Sequence, residues 1–397
     1  MVCTHIAAKF PTNLPWSVAG RSRERLEALA AKLRKEYPDR VQPDLEIVAP
    51  DDSQTLGEVI GRAKVCLSSV VYPLDGDAII RACIEQRTDY VDCAGVPTLV
   101  RDWVTKYHEQ AEANGVALIH SCGAMTGEMD LFAIHACQEI QQKWSAKMGK
   151  MTLRVDDLDP NVSGGTLRTM LSFASGGPKA IAAAGHPSLV TPPGTPYTKP
   201  IEAVRGIHTH PILGLLTKSS PPGDQARTLV NRSWGLLGGP NSAWGPNFQY
   251  NEYERAHSYL GAVGNLIRCY VILTLFSLVQ YPWFMALIMR SAPALGVGPS
   301  EEQVKSLPFT AAAFVEADTA EKNSGKGCLI KLRYTEGNYP FAAMLMAQAG
   351  ATLLYDRNLS AGIRGGCLTA GVLGPDFVER ARQGGLEIET TMIESLK

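Results

Sequence analysis

The chain carries no excess of either charge. Its 38 Lys and Arg balance 39 Asp and Glu, for a net charge of −1. A nucleic-acid partner, which needs a basic surface to displace counterions from phosphates, is not expected. Nine cysteines are scattered without a single C-x-x-C pair, and their number is odd. Neither a zinc site nor a disulfide framework is read from them; free thiols in a reducing, intracellular setting fit better. The N-terminus lacks the long apolar core of a secretory signal. His208 and His210 share one strand face but have no third ligand at useful spacing, so no metal is expected. One further absence shapes the rest: the first ten residues contain no glycine.

That absence matters because of the segment just downstream. Trp16-Ser-Val-Ala-Gly20 reads as a short apolar strand running into Arg21-Ser22-Arg23, with a charged helix opening behind. At the end of the second strand of a dinucleotide-binding fold, an acidic residue meets the ribose of NAD, whereas an arginine accommodates the 2′-phosphate of NADP. Gly20, Arg21 and Ser22 therefore read as an NADP-side pocket, with the helix N-terminus adding positive dipole. A strand followed by a Ser-capped helix with solvated arginines is the alternative. The glycine-rich pyrophosphate loop of such a fold precedes this position by roughly 20 residues. Counting back from Arg21 reaches Met1 or beyond. Val2, Ile6 and Phe10, spaced by four, instead predict the helix that would follow such a loop.

Downstream, strand and helix signals alternate. A helix over 22–36 carries Leu26, Leu29, Ala30 and Leu33 on one face; a strand over 45–49 leads to a helix capped at Asp51-Asp52-Ser53. Lys64 to Val71 is nearly continuous in apolar residues, as expected of a central parallel strand covered on both faces. Its end, Ser68-Ser69-Val70-Val71-Tyr72-Pro73, falls at the carboxyl edge of the sheet, beside any bound dinucleotide. A helix over 76–87, the strand Tyr90 to Gly95, a helix over 98–113 and the strand Val116 to Ser121 complete the pattern. It predicts a doubly wound, Rossmann-like parallel sheet that lacks its first strand and Gly-rich loop. At 397 residues the chain is long enough for two domains.

The strand end Ala19-Gly20-Arg21, the Tyr90-Val-Asp92 segment with Gly95 and Pro97, and His120-Ser-Cys122-Gly123 together resemble the saccharopine dehydrogenase-like oxidoreductases. This family includes the trans-acting enoyl reductases. The likeness continues through Ser163-Gly-Gly-Thr-Leu167, Gly298 to Gln303 and Gly365-Gly-Cys-Leu-Thr369, in order along essentially the whole chain. It implies an incomplete NADP-type domain over 1–125 and a second α+β domain over 126–340 that shapes a substrate cleft. It also implies a closing segment, 341–397, that returns to the first domain. Departures fall at the cofactor edge. The family's glycine-rich loop is missing, and its Asn-Cys-Val-Gly-Pro-Tyr turn stands here as Ser68 to Pro73. Its Phe-Asp-Ser is Ala124-Met125-Thr126, and its Gly-Glu-Pro glutamate is Val96.

The resemblance implies NADPH-dependent reduction of a C=C or C=N bond in a small or carrier-bound acyl substrate, in secondary or lipid metabolism. Ser69, Val70, Tyr72, Cys122 and Gly123 would edge the nicotinamide, and Arg21 with Ser22 would hold the 2′-phosphate. No residue is assigned to catalysis, although Tyr72 carries a proton. The competing expectation is a binding or lipid-surface protein that keeps the fold without the cofactor. A homo-oligomer is compatible with either.

In the second domain, Ser163-Gly164-Gly165-Thr166 opens a helix, either as an anion or carbonyl cradle on free amides or as a tight turn. Residues 176–250 are rich in Gly and Pro with few periodic segments. From Cys269 to Met289 no charge occurs, and Arg268 and Arg290 bracket the run. That is the length of a membrane span, yet Gln280 and Pro282 interrupt it and Tyr281, Trp283 and Phe284 cluster at the break. A buried helix, a peripheral segment touching a membrane or lipid droplet, and a true span all remain open. Localisation is accordingly expected in the cytoplasm or peripherally on a lipid surface.

Overall fold

The computed structural model describes residues 1–156, 162–197, 206–218, 221–294, 296–305, 307–319 and 325–395. Its first part alternates as expected: α1 (Val2–Lys9), β1 (Ser17–Gly20), α2 (Arg23–Glu36), β2 (Asp44–Ile47), α3 (Ser53–Gly61), β3 (Val65–Ser68), α4 (Tyr72–Gln86), β4 (Asp89–Asp92), α5 (Pro97–Asn114) and β5 (Ala117–Ile119). Local chemistry sets the boundaries. Ser22 and Asp52 cap α2 and α3 by accepting from the amides of Arg25 (3.3 Å) and Thr55 (3.1 Å). Pro97 opens α5, and Gly115, at φ +68°, closes it.

The strands do not form one sheet. β1 and β2 pair in parallel as a two-stranded ladder, and β3, β4 and β5 belong to a separate parallel sheet. The central, doubly covered place expected for residues 64–71 is therefore corrected. Among the described residues β3 pairs with β4 alone, and Val65, Cys66 and Leu67 are half-buried. A continuous apolar run reports what covers a strand's faces and says nothing of what pairs with its edge.

Helix α6 (Gly127–Trp144) leads into a second domain, burying Met129, Phe132, Ala133, Ala136 and Ile140. There follow β6 (Lys147–Val155), α7 (Gly164–Ala174), α8 (Gly177–Ala184), β7 (Ile207–His210), β8 (Gly214–Lys218), α9 (Pro221–Leu236), β9 (Gln249–Arg255), α10 (Tyr259–Leu278), α11 (Pro282–Ser291), α12 (Glu301–Lys305), β10 (Phe309–Asp318) and β11 (Gly327–Tyr334). The chain closes with α13 (Asn338–Tyr355), β12 (Gly366–Leu368), α14 (Gly374–Gln383) and β13 (Glu387–Ile393). Seven strands in the order β13-β11-β10-β6-β9-β8-β7 make the large sheet, antiparallel except where β6 meets β9. On β11, Cys328, Ile330, Leu332 and Tyr334 turn inward, while Lys331 and Arg333 reach Glu389 and Glu387 across the ladder (3.0 and 3.1 Å).

Residues 176–250 hold more regular structure than their composition suggests, with 198–205 and 219–220 outside the described residues. The closing segment serves both sheets. β12 pairs with β5 of the small sheet, whereas β13 pairs with β11 of the large one. Between them α13 is buried on nearly every side from Phe341 to Leu353, packed against α1, β3, β4, α6 and α14. One continuous apolar core runs from Val91 and Ile119 of the small sheet through Phe341 of α13 to Met151 and Phe309 of the large one.

Candidate functional site

In a parallel α/β sheet, ligands bind outside the carboxyl ends of the strands. Here those ends are Gly20-Arg21 after β1, Ser68-Ser69 after β3, Asp92-Cys93 after β4 and His120 after β5. Arg21 is 64% exposed at its side chain, with its guanidinium 3.7 Å from the Asp75 carboxylate in the first turn of α4. This contact joins the two-stranded ladder to the four-stranded sheet. An ion pair so exposed contributes little stability and leaves the guanidinium able to turn to a phosphate. Ser22 is committed to its cap on α2, and Ser69 is exposed, with Val70 half-buried beside it.

Tyr72 is turned inward. Its hydroxyl donates to the Ser68 carbonyl (2.7 Å) and accepts from the Cys93 amide (3.0 Å), stapling the ends of β3 and β4 together. Burial first, then the neighbouring Cys93 and Asp92, push its phenol well above the usual range. A group so held gives up its proton poorly. Burial likewise pushes the Cys93 thiol up to about 11.

The strand ends β4 and β5 are joined by Asp92, fully buried. One carboxylate oxygen accepts from the amides of Ala94 (2.9 Å) and Ser121 (2.8 Å); the other lies 2.7 Å from Nδ1 of His120. Burial opposes a charge on His120, but Asp92 outweighs it and holds the imidazole up at about 9. Trp103 stacks on the ring at 5.2 Å between centroids. The Cys367 thiol of β12 donates to the Trp103 carbonyl (3.5 Å), and Nε2 of His120 is buried without a hydrogen-bond partner among the described residues; His108, His120 and the Arg232 guanidinium nearby outweigh burial and bring the thiol down to about 7. Cys367, His120 and Asp92 thus sit on three adjacent strands, without the thiol-to-imidazole hydrogen bond of a nucleophilic triad. All three are sealed from solvent, so they act as an internal brace between strands.

The turn between β5 and α6 is where the backbone is strained. Ser121 and Met125 adopt φ of +60° and +69°, a conformation costly for residues with a Cβ. Both amides are anchored, the first on Asp92 and the second on Glu128 (2.7 Å). Cys122 is buried with its thiol toward the Leu345 carbonyl of α13, and Gly123 is pressed so close that a Cβ would stand 2.6 Å from that of Cys93. Of the predicted nicotinamide-edge residues, Ser69 is exposed at the edge, while Val70 is half-buried and packs on the core below. Tyr72, Cys122 and Gly123 lie beneath that edge.

Sequence reasoning passed over two acids at the start of α6. Glu128 accepts from the amides of Met125 and Thr126, and burial raises its carboxyl to about 8. Asp130 accepts from Ser233 (2.8 Å) and the Gly371 amide (2.7 Å), and burial raises it to about 7. Nothing in their spacing marks them: the partners of Asp130 come from α9 and from the turn after β12, and Glu128 bonds back to the strained turn just before it. The glycine pair at α7, by contrast, is occupied by the protein itself. The Ser163 amide donates to the Tyr339 hydroxyl (2.6 Å), the Gly164 amide to the Val297 carbonyl (2.9 Å), and the Thr166 amide to Ser163 Oγ (3.1 Å). The tight-turn reading of Ser163 to Thr166 accounts for all of these contacts.

Residues 1–119 match the family model of the saccharopine dehydrogenase NADP binding domain. The chain is also 25% identical over 407 residues to a trans-acting enoyl reductase of Mycobacterium ulcerans, covering 98% of this chain and 94% of that one. It is 24% identical over 414 residues to a saccharopine dehydrogenase-like oxidoreductase of Mus musculus, covering 96% and 91%. Residues 1–119 thus carry the saccharopine dehydrogenase NADP binding domain, and the whole chain is similar to saccharopine dehydrogenase-like oxidoreductases. Its fold matches a solved saccharopine dehydrogenase (L-Glu forming) of Saccharomyces cerevisiae at a TM-score of 0.52, with 11% identity over 99% of this chain and 96% of that one.

The NADP-binding match runs from α1 to β5 and so takes in Gly20, Arg21, Ser22, Ser69, Val70 and Tyr72; Cys122 and Gly123 lie just past it. The residues present fit the phosphate-bearing adenosine end of such a cofactor, where Arg21 stands free to turn and the first turn of α2 adds its dipole.

Proposed function

We propose that this protein is an NADPH-dependent reductase of a C=C or C=N bond, acting on a small or carrier-bound acyl substrate. The observation that carries the reading is the exposed guanidinium of Arg21 one residue past the end of β1, the position at which a parallel sheet meets an adenosine 2′-phosphate. NADPH, when bound, supplies the hydride. The chain's own residues orient and enclose. Arg21 with Ser22 selects the phosphate end, Ser69 and Val70 border the opposite end, and the anchored β5–α6 turn supplies a rigid floor. Glu128 and Asp130 lie below that floor, buried and with raised pKa values, and the His120 charge at its start is matched by Asp92. Hydride transfer needs placement and exclusion of water rather than a covalent nucleophile, and such a floor suits it. The names of the enoyl reductase relatives support the choice of an acyl substrate.

The test is a fluorescence titration with NADPH and NADH. Saturable NADPH binding is expected, and Arg21→Ala should weaken it by roughly 10- to 100-fold, the worth of one charge-assisted phosphate contact, while NADH changes little. Equal losses for the two dinucleotides would sink the assignment of Arg21. A second reading rests on the division of the sheet at β3. Under it the protein keeps the fold as a binding module without the cofactor, and neither dinucleotide gives a signal.

A further inference from the structure

Among the described residues, the outward face of α10 and α11 has no partner in the fold. Along α10 the inner stripe is seated: Ala262, Cys269 and Val279 at its end are buried against β8, α7 and α8. Asn265 reinforces the seat by donating to the Arg255 carbonyl at 3.2 Å. Between those positions, at the same helical period, Leu260, Val263, Ile267, Val271 and Leu275 face solvent, with Leu260 87% exposed. On α11, Phe284, Met285 and Ile288 pack toward Leu171, Ala174 and Val279, while Trp283 (64% exposed) and Leu287 point away. The outer face of a helix on a water-soluble surface is ordinarily polar; here it is as apolar as the inner one, and contiguous apolar surface of this kind marks an interaction site.

The sequence says what covers it. From Ala256 through Ser300 there is no Asp or Glu, and the charged residues are Arg268 and Arg290. Tyr259, Tyr270, Tyr281 and Trp283 stand exposed along the two helices, each an amphipathic ring of the kind that settles at headgroup level. At the head of α10 a cleft of about 250 Å³, lined by Asp156, Arg255, His257, Asn265 and Arg268 among others, makes a polar margin to the apolar face. We propose that α10 and α11 form an in-plane hairpin that docks this protein on the face of a phospholipid bilayer. α10 is long and apolar enough to cross a membrane. Standing across one would strip its seated stripe from β8, α7 and α8, so it lies in the interface with its outer face immersed. The break at residues 279–281, where Pro282 opens α11, lets the second helix fold back into the same plane. This proposal is independent of the cofactor reading.

The test is flotation of the full chain with phosphatidylcholine vesicles, with and without phosphatidylserine. Wild type should float with both, since immersion of apolar side chains dominates. The variant Leu260→Asp/Ile267→Asp, altered only on the outer face, should bind at least about tenfold more weakly with unchanged near-UV circular dichroism. Phosphatidylcholine brominated high on its acyl chains should quench a component of tryptophan fluorescence that Trp283→Phe removes. The proposal falls if wild type stays with the protein fraction, or if the double variant floats equally well. It also falls if the membrane-bound protein resists carbonate extraction, as a span would. A protein that does not float but forms dimers dissolved by the double variant would likewise overturn it, and a second copy would be the occupant.

Discussion

Asp130 shows how one buried acid gives the molecule a pH dependence. Its carboxyl, ordinarily near 3.8, is held at about 7 because burial penalises the charge more than the Ser233 hydroxyl and the Gly371 amide favour it. The folded chain therefore keeps a proton that the unfolded chain releases. The neutral-acid contribution to stability is complete below about pH 4, drains as the pH rises, and is gone above about 7. Glu128, held at about 8, acts in the same direction, whereas His5 and His135, lowered to about 4 chiefly by burial, favour the fold more as pH climbs from 4 to 6.5. Asp130→Asn isolates one group. The amide oxygen can take the two donors that Oδ2 accepts, and the amide nitrogen takes the place of Oδ1, which makes no hydrogen bond. Relative to wild type, the variant should gain on the order of 2 kcal/mol between pH 5 and 8, since each tenfold difference in proton affinity between folded and unfolded chain is worth about 1.4 kcal/mol. Denaturant melts at the two pH values would read this gain. A constant difference would mean that Asp130 is ionised throughout.

At the scale of elements, the two glycines that open α7 make opposite predictions. A Cβ on Gly164 would stand 2.3 Å from the Ala294 carbonyl oxygen and 2.5 Å from that of Pro293, both backbone atoms that cannot swing aside. Gly164→Ala should cost about 3 kcal/mol. A Cβ on Gly165 meets only Ser163 Oγ, at 3.8 Å, so Gly165→Ala should be neutral or stabilise by up to about 1 kcal/mol through helix propensity. Chemical denaturation of the pair would check this, and equal losses would refute the packing account.

The same scale shows how much the amino-acid order reveals by itself. The α/β alternation is legible because each strand is a short apolar run bounded by turn or cap residues, and Arg21 and Ser22 are legible because strand end and helix cap are adjacent in the chain. Helix α9 is not. Its buried surface carries Arg227, Thr228, Asn231, Arg232 and Ser233 beside Ala226, Leu229, Val230 and Trp234, so its polarity reads as a loop. The Arg232 guanidinium is buried against the carbonyls of Val190 and Cys367. The brace of Asp92, His120 and Cys367 is equally hidden. It exists because β4, β5 and β12 lie side by side, a fact of sheet order that no local spacing encodes.

For the whole molecule, stability is divided unevenly. The large sheet, α6, α13, α14 and the strands β4, β5 and β12 share one core, so they should open together. The β1–β2 ladder stands apart. Its residues are exposed or half-buried, and it packs on α2 through Leu26, Ala30 and Leu33. Its link to α4, the Arg21–Asp75 pair, is exposed and weak. A two-stranded ladder gains little by itself, and local opening draws on the least-packed unit first. Amide hydrogen exchange should therefore proceed at least about a hundredfold faster in β1 and β2 than in β4 and β5, a gap of about 2.7 kcal/mol in opening free energy. If Arg21 clasps a 2′-phosphate while Ser69 and Val70 border the same ligand, NADPH should slow exchange in β1 and β2 while leaving the already protected β4 and β5 unchanged, because the ligand ties the loose unit to the rigid one. Equal protection in all four strands of the free protein would show that the ladder is integral to the core. Faster exchange without any response to NADPH would leave the ladder loose and make the lipid-facing hairpin the working surface of the protein.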